Sequence, residues 1–185
     1  MPRLFTGIEV PSAIRERLAF KRVPLPGAKW LDPDDLHLTL RFLGDVDSRT
    51  AGEFIDLISG LDLKPFQLKL RDLGTFGSSK PRILYVSVDE DPAITRAHQA
   101  HDRAARMVGL EPEPRTFKPH VTLARLRGTR PETVAQYLGE LGQFRAEPFE
   151  VRRIVVFSSR PGTGGGPYVV EAAFPLDGAI GDGSW

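Results

Sequence analysis

Two tetrapeptides of the same pattern carry the residue types that could do chemistry in this chain. His37-Leu38-Thr39-Leu40 and His120-Val121-Thr122-Leu123 lie in opposite halves of the sequence and hold two of its four histidines. Residues two positions apart in a β-strand point to the same face, so each histidine projects beside its threonine. The pattern predicts two strands that pack on a core with one face and line a cleft with the other.

These groups suit acid–base chemistry on an anion. Two imidazoles facing each other supply a general acid and a general base near neutral pH, and two hydroxyls can hydrogen-bond a phosphate between them. A catalytic zinc usually needs three protein ligands, and neither motif has a convincing carboxylate partner, which favours phosphoryl transfer without a metal. One motif alone is typical of a buried histidine, whereas two copies favour a site. The residues alone do not say which histidine is the acid.

The elements around the motifs repeat in the same order. Each half shows a strand, a helix, the strand with its tetrapeptide, a second helix and further strands. This predicts an α+β fold of two pseudo-symmetric lobes, each a mainly antiparallel sheet with helices on the outside, facing each other across a central cleft. Residues 1–177 are expected to form one bilobal domain, and the Gly-rich residues 178–185 a flexible tail.

Composition excludes several classes of protein. The chain has no cysteine, which excludes thiol nucleophiles, disulfide frameworks and zinc–thiolate sites. It shows neither an apolar run of about 18 residues nor a leader-like start, so we expect a cytoplasmic protein without a membrane span. With 25 basic and 24 acidic side chains the net charge is +1, which gives no general attraction for duplex DNA but allows a local basic site.

The motifs and their flanks resemble the two-histidine phosphoesterase superfamily, and within it the bacterial and archaeal RNA 2',3'-cyclic phosphodiesterases, also called 2'-5' RNA ligases. The resemblance rests on residues 3–11, 36–44, 117–125 and 158–168, and the four motif positions match without departure. It implies hydrolysis of RNA 2',3'-cyclic phosphate ends to 2'-phosphomonoesters, with 2'-5' ligation to a 5'-hydroxyl end as a related activity. It implies no metal and no other cofactor.

The resemblance also implies a role for each motif residue. His37 would be the general acid and His120 the general base. Thr39 and Thr122 would donate hydrogen bonds to the non-bridging phosphate oxygens, where preorganised donors stabilise developing charge.

Two arginines are candidate substrate contacts. Alternation places Arg41 on the face of His37, as a phosphate or RNA-backbone contact, with a solvated edge-strand arginine as an equal alternative. Strict alternation points Arg125 away from the site unless the strand ends or bulges at Ala124, whereas the resemblance favours Arg125 as a binding residue.

Aromatic side chains could stack a terminal base. Trp30 and Tyr85 are the candidates, and for Phe5 and Phe42 core packing is the better interpretation. Further arginines could add a diffuse patch facing RNA. These are Arg127, Arg130, Arg152, Arg153 and Arg160.

The implied partner is RNA with a 2',3'-cyclic phosphate or 5'-hydroxyl end, tRNA halves among them. We expect a monomer with no obligatory protein partner. Two alternatives stay open: a non-catalytic module that binds RNA ends in the same cleft, and a phosphodiesterase of small cyclic nucleotides. A binding module would tolerate the loss of His37 or His120, whereas an enzyme would not.

Overall fold

The computed structural model describes residues 3–161 and 165–176, so the tail expected at 178–185 lies outside the described residues. Within them the helices and strands follow the repeated order that the sequence predicts. The strands are β1 (Arg3–Glu9), β2 (Ala28–Trp30), β3 (His37–Asp45), β4 (Phe66–Leu68), β5 (Leu70–Phe76), β6 (Ile83–Val88), β7 (His120–Leu126), β8 (Phe149–Val151), β9 (Arg153–Ser159) and β10 (Val169–Pro175). The helices are α1 (Ser12–Ala19), α2 (Ser48–Ser59), α3 (Pro92–Met107) and α4 (Pro131–Leu141), with a 3-10 turn at Pro33–Asp35.

Short polar signals set where the helices begin. Asp47 precedes α2 and accepts a hydrogen bond from the backbone N–H of Thr50, and Asp91 does the same for Ala93 at the start of α3. Both α3 and α4 have proline at their first position, where its missing N–H costs nothing. In the described part of the chain, no helix is long and apolar enough to cross a membrane.

One eight-stranded sheet carries both motifs. Its order is β10-β9-β1-β3-β7-β6-β5, with β2 also beside β7, and the strand pairs are antiparallel. The two motif strands, β3 and β7, are joined through a single pair, Leu38 opposite Val121. The sheet therefore divides at this junction into two halves, which confirms the α+β class and the two-lobed architecture.

Each half of the sheet combines strands from both repeats. β1 and β3 of the first repeat pair with β9 of the second, and β6 and β7 of the second pair with β5 of the first. β4 and β8, which hold equivalent places in the two repeats, form a separate two-stranded sheet. The helices also pair across the two repeats. α2 of the first repeat and α3 of the second share one apolar cluster. Tyr137 of α4, in the second repeat, donates a hydrogen bond to the backbone carbonyl of Lys21, just after α1 of the first.

The aliphatic residues of both tetrapeptides lie in the core. Leu38, Leu40, Val121 and Leu123 are at most 3% exposed. Burying each such side chain stabilises the fold by about 1.5–3 kcal/mol. The packing therefore fixes the motif strands with their polar face directed to the cleft.

Candidate active site

The same backbone hydrogen bond orients both histidines. Nδ1 of His37 lies 2.8 Å from the carbonyl oxygen of Asp35, and Nδ1 of His120 lies 2.7 Å from the carbonyl oxygen of Lys118. Because a carbonyl only accepts, Nδ1 carries the proton in each ring. Nε2 is therefore the atom left for chemistry in both neutral imidazoles.

The threonines are placed across the junction between the two halves. The hydroxyl of Thr39 lies 2.9 Å from Nε2 of His37 and donates to it. Since Leu38 pairs with Val121 in the antiparallel direction, the register sets His37 beside Thr122 and Thr39 beside His120. The four motif residues thus form one constellation.

The placement of Arg41 by alternation is wrong. The pairing of β3 with β1 skips Leu40 between Thr39 and Arg41, and this β-bulge reverses the alternation. Arg41 is 6% exposed, and its guanidinium donates to the carboxylates of Asp102 at 3.0 Å and Glu113 at 2.9 Å. Arg41 therefore ties β3 to α3 and the segment after it, and its charge is already paired.

The bulge turns Phe42 outward instead. Phe42 is 57% exposed, so the expectation that it packs in the core is wrong. Its ring centroid lies 5.6 Å from that of Phe5, which in turn lies 4.8 Å from the ring of His37. Phe5 itself is 2% exposed and belongs to the core, as expected.

An equivalent bulge brings Arg125 to the cleft. The pairing of β7 with β6 skips Leu123 between Thr122 and Ala124, one residue before the position considered from the sequence. Ala124 is buried and Arg125 is exposed. The charge of Arg125 contributes to lowering the pKa of His37, which places the guanidinium within electrostatic reach of the site.

Aromatic rings enclose His37. The ring centroids of Phe5, Tyr168 and Phe157 lie 4.8, 5.1 and 5.6 Å from that of His37, with Tyr168 perpendicular to it. Burial lowers the pKa of His37 to about 4, outweighing the hydrogen bond to the Asp35 carbonyl, which raises it. Without a bound anion, His37 is therefore neutral at pH 7.

Asp35 joins the motif strand to the segment before β10. While its carbonyl orients His37, its carboxylate accepts from the backbone N–H of Tyr168 at 3.0 Å. A Cβ at Gly166 would overlap Oδ2 of Asp35, so a side chain there would displace the carboxylate. Sequence patterns did not identify Asp35 as a site residue, although its place two positions before the histidine matches that of Lys118.

Different side chains surround His120. Tyr85 and Phe76 stack with centroids 4.3 Å apart, and their rings lie 5.4 and 4.9 Å from that of His120. Tyr85 is 5% exposed, so the prediction that it stacks a base is wrong, and its ring supports His120 instead. Burial lowers the pKa of His120; the hydrogen bond to the Lys118 carbonyl opposes this, and the charge of Lys118 adds to it.

Two cavities lie beside Asp35, the residue whose carbonyl orients His37. The larger, of about 600 Å³, is lined in part by Trp30, Arg125, Arg160, Asp35 and Tyr168, so the structure brings Trp30 and Arg125 together. The smaller, of about 380 Å³, includes His37 and shares Asp35 and Tyr168 with the larger.

The wider arginine patch is not assembled as expected. Arg153 pairs with Glu9 at 2.7 Å, Arg152 with Glu150 at 2.6 Å, and Arg130 with Glu132 at 3.6 Å. Arg160 lines the larger cavity, but these three arginines have acidic partners. Among the described residues, no group of three or more His, Asp or Glu side chains is arranged to hold a metal ion.

Comparison with known proteins matches the chain to one family along nearly its whole length. The sequence model of the LigT-like phosphoesterases matches twice, at residues 8–85 and 86–168. An RNA 2',3'-cyclic phosphodiesterase of Aeropyrum pernix is 31% identical over 144 residues, 76% of this chain and 80% of that protein. One of Aquifex aeolicus is 30% identical over 175 residues, 92% and 91% of the two chains. The crystal structure of TT0787 of Thermus thermophilus superposes with a TM-score of 0.79 at 26% identity, covering 94% of this chain and 97% of that one.

Proposed function

Because the chain belongs to the LigT-like phosphoesterases, we propose that it hydrolyses RNA 2',3'-cyclic phosphate ends to 2'-phosphomonoesters. The observation that carries the proposal is the pair of histidines, each with its Nδ1 bound to a carbonyl two residues earlier and its Nε2 left for the cleft. With a 5'-hydroxyl in place of water, the same chemistry gives 2'-5' ligation. The strained cyclic ester supplies the driving force, so ATP is unnecessary.

The reaction is an in-line displacement at phosphorus. Nε2 of His120 takes a proton from water as its oxygen bonds to phosphorus, and the bond from phosphorus to the 3' oxygen breaks. Nε2–H of His37 donates its proton to that 3' oxygen. The 2' oxygen stays bonded to phosphorus, so one water is consumed and the product is a 2'-phosphate.

Substrate binding provides the protonated acid. In the free protein, burial holds the pKa of His37 near 4, so the ring lacks the proton it must donate. A phosphodiester anion bound beside the ring favours the imidazolium and raises this pKa. Once Nε2 is protonated it no longer accepts from Thr39, and that hydroxyl is released to donate to a phosphate oxygen.

The cleft residues around the phosphate would hold the rest of the RNA. The guanidinium of Arg125 is suited to a phosphate or the RNA backbone. The exposed ring of Phe42 and the half-buried Trp30 offer surfaces for a base. The protein is proposed to act as a cytoplasmic monomer on RNA ends, tRNA halves among them, without an obligatory protein partner, and its solution mass by light scattering would test the monomer.

The test uses a short RNA ending in a 2',3'-cyclic phosphate, incubated with the purified protein in EDTA. Mass spectrometry and phosphatase sensitivity identify the product, and His37→Ala and His120→Ala run beside the wild type. A 2'-phosphate formed in EDTA and lost in both variants supports the proposal. Turnover of cyclic mononucleotides alone would favour the small-nucleotide enzyme, and RNA-end binding without turnover the binding module.

A further inference from the structure

Opposite charges occupy equivalent places in the two halves of the site. Asp35 and Lys118 each precede a catalytic histidine by two residues, and each orients it through a backbone carbonyl. The backbone geometry is therefore the same, while the side chains are an acid and a base. Asp35 uses its carboxylate to hold the backbone of Tyr168. Lys118 is placed differently.

The ammonium of Lys118 is fixed beside His120. Nζ donates to the hydroxyl of Tyr85 at 3.1 Å and lies 5.4 Å from the ring centroids of both Tyr85 and Phe76. These same two rings contact His120. One aromatic pair therefore holds the cation and the imidazole together, and cation–π attraction favours that place for the ammonium.

We propose that Lys118 is a positioning residue whose ammonium keeps His120 in its neutral, proton-accepting form and so assigns the base role to this half of the site. The inference rests on the proposed function, which requires one acid and one base. Burial lowers the pKa of His120, the hydrogen bond to the Lys118 carbonyl raises it, and the charge of Lys118 lowers it by a smaller amount, in the direction that this role requires.

The other groups that face His120 do not provide this cation. His37, across the junction on β3, is neutral in the free protein because burial lowers its pKa to about 4. Tyr85 on β6 and Phe76 on β5 contribute aromatic rings and no cation. Arg125, further along β7, acts on His37 and Tyr168. Lys118 is thus the charged side chain in contact with the cluster around His120.

Three variants separate the ammonium from the backbone carbonyl, which stays in all of them. Lys118→Met removes the charge and keeps most of the stem, and Lys118→Arg keeps a cation. Tyr85→Phe removes the hydroxyl that anchors Nζ and keeps the ring against His120. The measurements are kcat against pH at saturating cyclic-phosphate RNA, and the NMR titration of His120 in the free protein.

Lys118→Met should raise the pKa of His120, because its charged form is no longer repelled. In the complex with RNA, where His37 is protonated, the acidic limb of kcat reports His120. We expect this limb to move up by about half a pH unit, which means about a threefold loss of kcat below the limb and little change above it. Lys118→Arg should keep the acidic limb at its wild-type pH. Tyr85→Phe should move the limb in the same direction as Lys118→Met, but by less.

A loss of kcat that is equal at all pH values, with the NMR titration of His120 unchanged, would overturn the proposal and make Lys118 a substrate contact. An unchanged His120 titration in Tyr85→Phe and Lys118→Met would overturn it even if no RNA were hydrolysed. Failure of the wild type on cyclic phosphates would instead reject the proposed function, because the NMR titration needs no turnover.

Discussion

The His37 and His120 halves of the site share a backbone and differ in their side chains. In both, a carbonyl two residues earlier orients the ring, and the strand bulges at the last residue of the tetrapeptide. His37 is enclosed by Phe5, Phe157 and Tyr168, whereas Lys118 stands beside His120 with two stacked rings. The repeated backbone delivers two equivalent imidazoles, and the side chains around them make the two unequal.

The same contrast occurs one step further along each motif strand. After its bulge, β3 turns an exposed phenyl ring, Phe42, outward, and β7 turns out the guanidinium of Arg125. The residues directly before them are Arg41 and Ala124, which are both buried. Equivalent positions thus offer a stacking surface on one side and a positive charge on the other.

The largest effect is expected from removing either ring. His37→Ala and His120→Ala should each lower kcat/KM by about 10²–10⁴-fold, because each removes one proton-transfer group. The pH profile of each variant distinguishes the two roles. If His120 is the base, its loss should abolish the acidic limb of the profile. If His37 is the acid, its loss should abolish the alkaline limb. The opposite result, with the alkaline limb lost in His120→Ala and the acidic limb lost in His37→Ala, would make His120 the acid and His37 the base. Circular dichroism checks that both variants fold.

Removing a motif hydroxyl should come next. Thr39→Val and Thr122→Val keep the shape of the side chain and lose a donor to the phosphate, which should cost about 2–4 kcal/mol of transition-state stabilisation by analogy with oxyanion-hole donors. The expected loss appears in kcat measured at saturating RNA. Because Thr39 also contacts Nε2 of His37, only Thr39→Val should alter the His37 titration. A change in KM with kcat unchanged would show that the hydroxyls bind the substrate and the transition state equally well.

A smaller effect is expected at Phe42. Loss of one base stack costs about 1–3 kcal/mol, so Phe42→Ala should raise KM by roughly 5- to 150-fold for RNA with an intact terminal base. With an abasic terminal ribose cyclic phosphate, wild type and variant should have similar KM values. Phe42→Trp serves as the control that keeps an aromatic face. Equal losses on both substrates would mean that Phe42 supports the fold and not the base.

The last effect concerns the free energy of unfolding in acid. Burial lowers the pKa of His37 to about 4, below its unfolded value near 6.5, so the unfolded chain binds the proton first as the pH falls. The free energy of unfolding should therefore decrease between pH 6.5 and pH 4. His37→Phe should flatten this slope in urea titrations more than His120→Phe does. His101, whose pKa burial also lowers to about 4, contributes equally in both variants and in wild type.

Sequence patterns are enough to predict the four motif residues but not the positions of the residues around them. Alternation and repetition predict His37, Thr39, His120 and Thr122 as the reacting groups, since the prediction depends only on local strand geometry. Arg41 was misplaced because a bulge depends on how a strand pairs with its neighbours, which the strand's own residues do not specify. The order of helices and strands predicts two lobes, because each element is recognised from its own residues. Which strands the two repeats exchange depends on pairing between distant parts of the chain.

For a related reason, the sequence does not predict which side chains surround the two imidazole rings. Tyr85 and Lys118 lie far apart in sequence and meet only because β6 pairs with β7. Asp35 and Tyr168 are still more distant along the chain. A signal existed nonetheless, since both Asp35 and Lys118 stand two residues before a histidine that begins a strand.

The exchange of strands makes each repeat incomplete. A single repeat would hold β1 and β3 without β9 beside them, and its β5 would lack β6. Its unpaired edges would match those of an identical chain. Two copies of such a half could therefore complete both sheets by trading their last strands, with one histidine from each copy at the junction. The present chain has the form of such a dimer with both halves in one polypeptide, and only in one polypeptide can the two histidines have different surroundings.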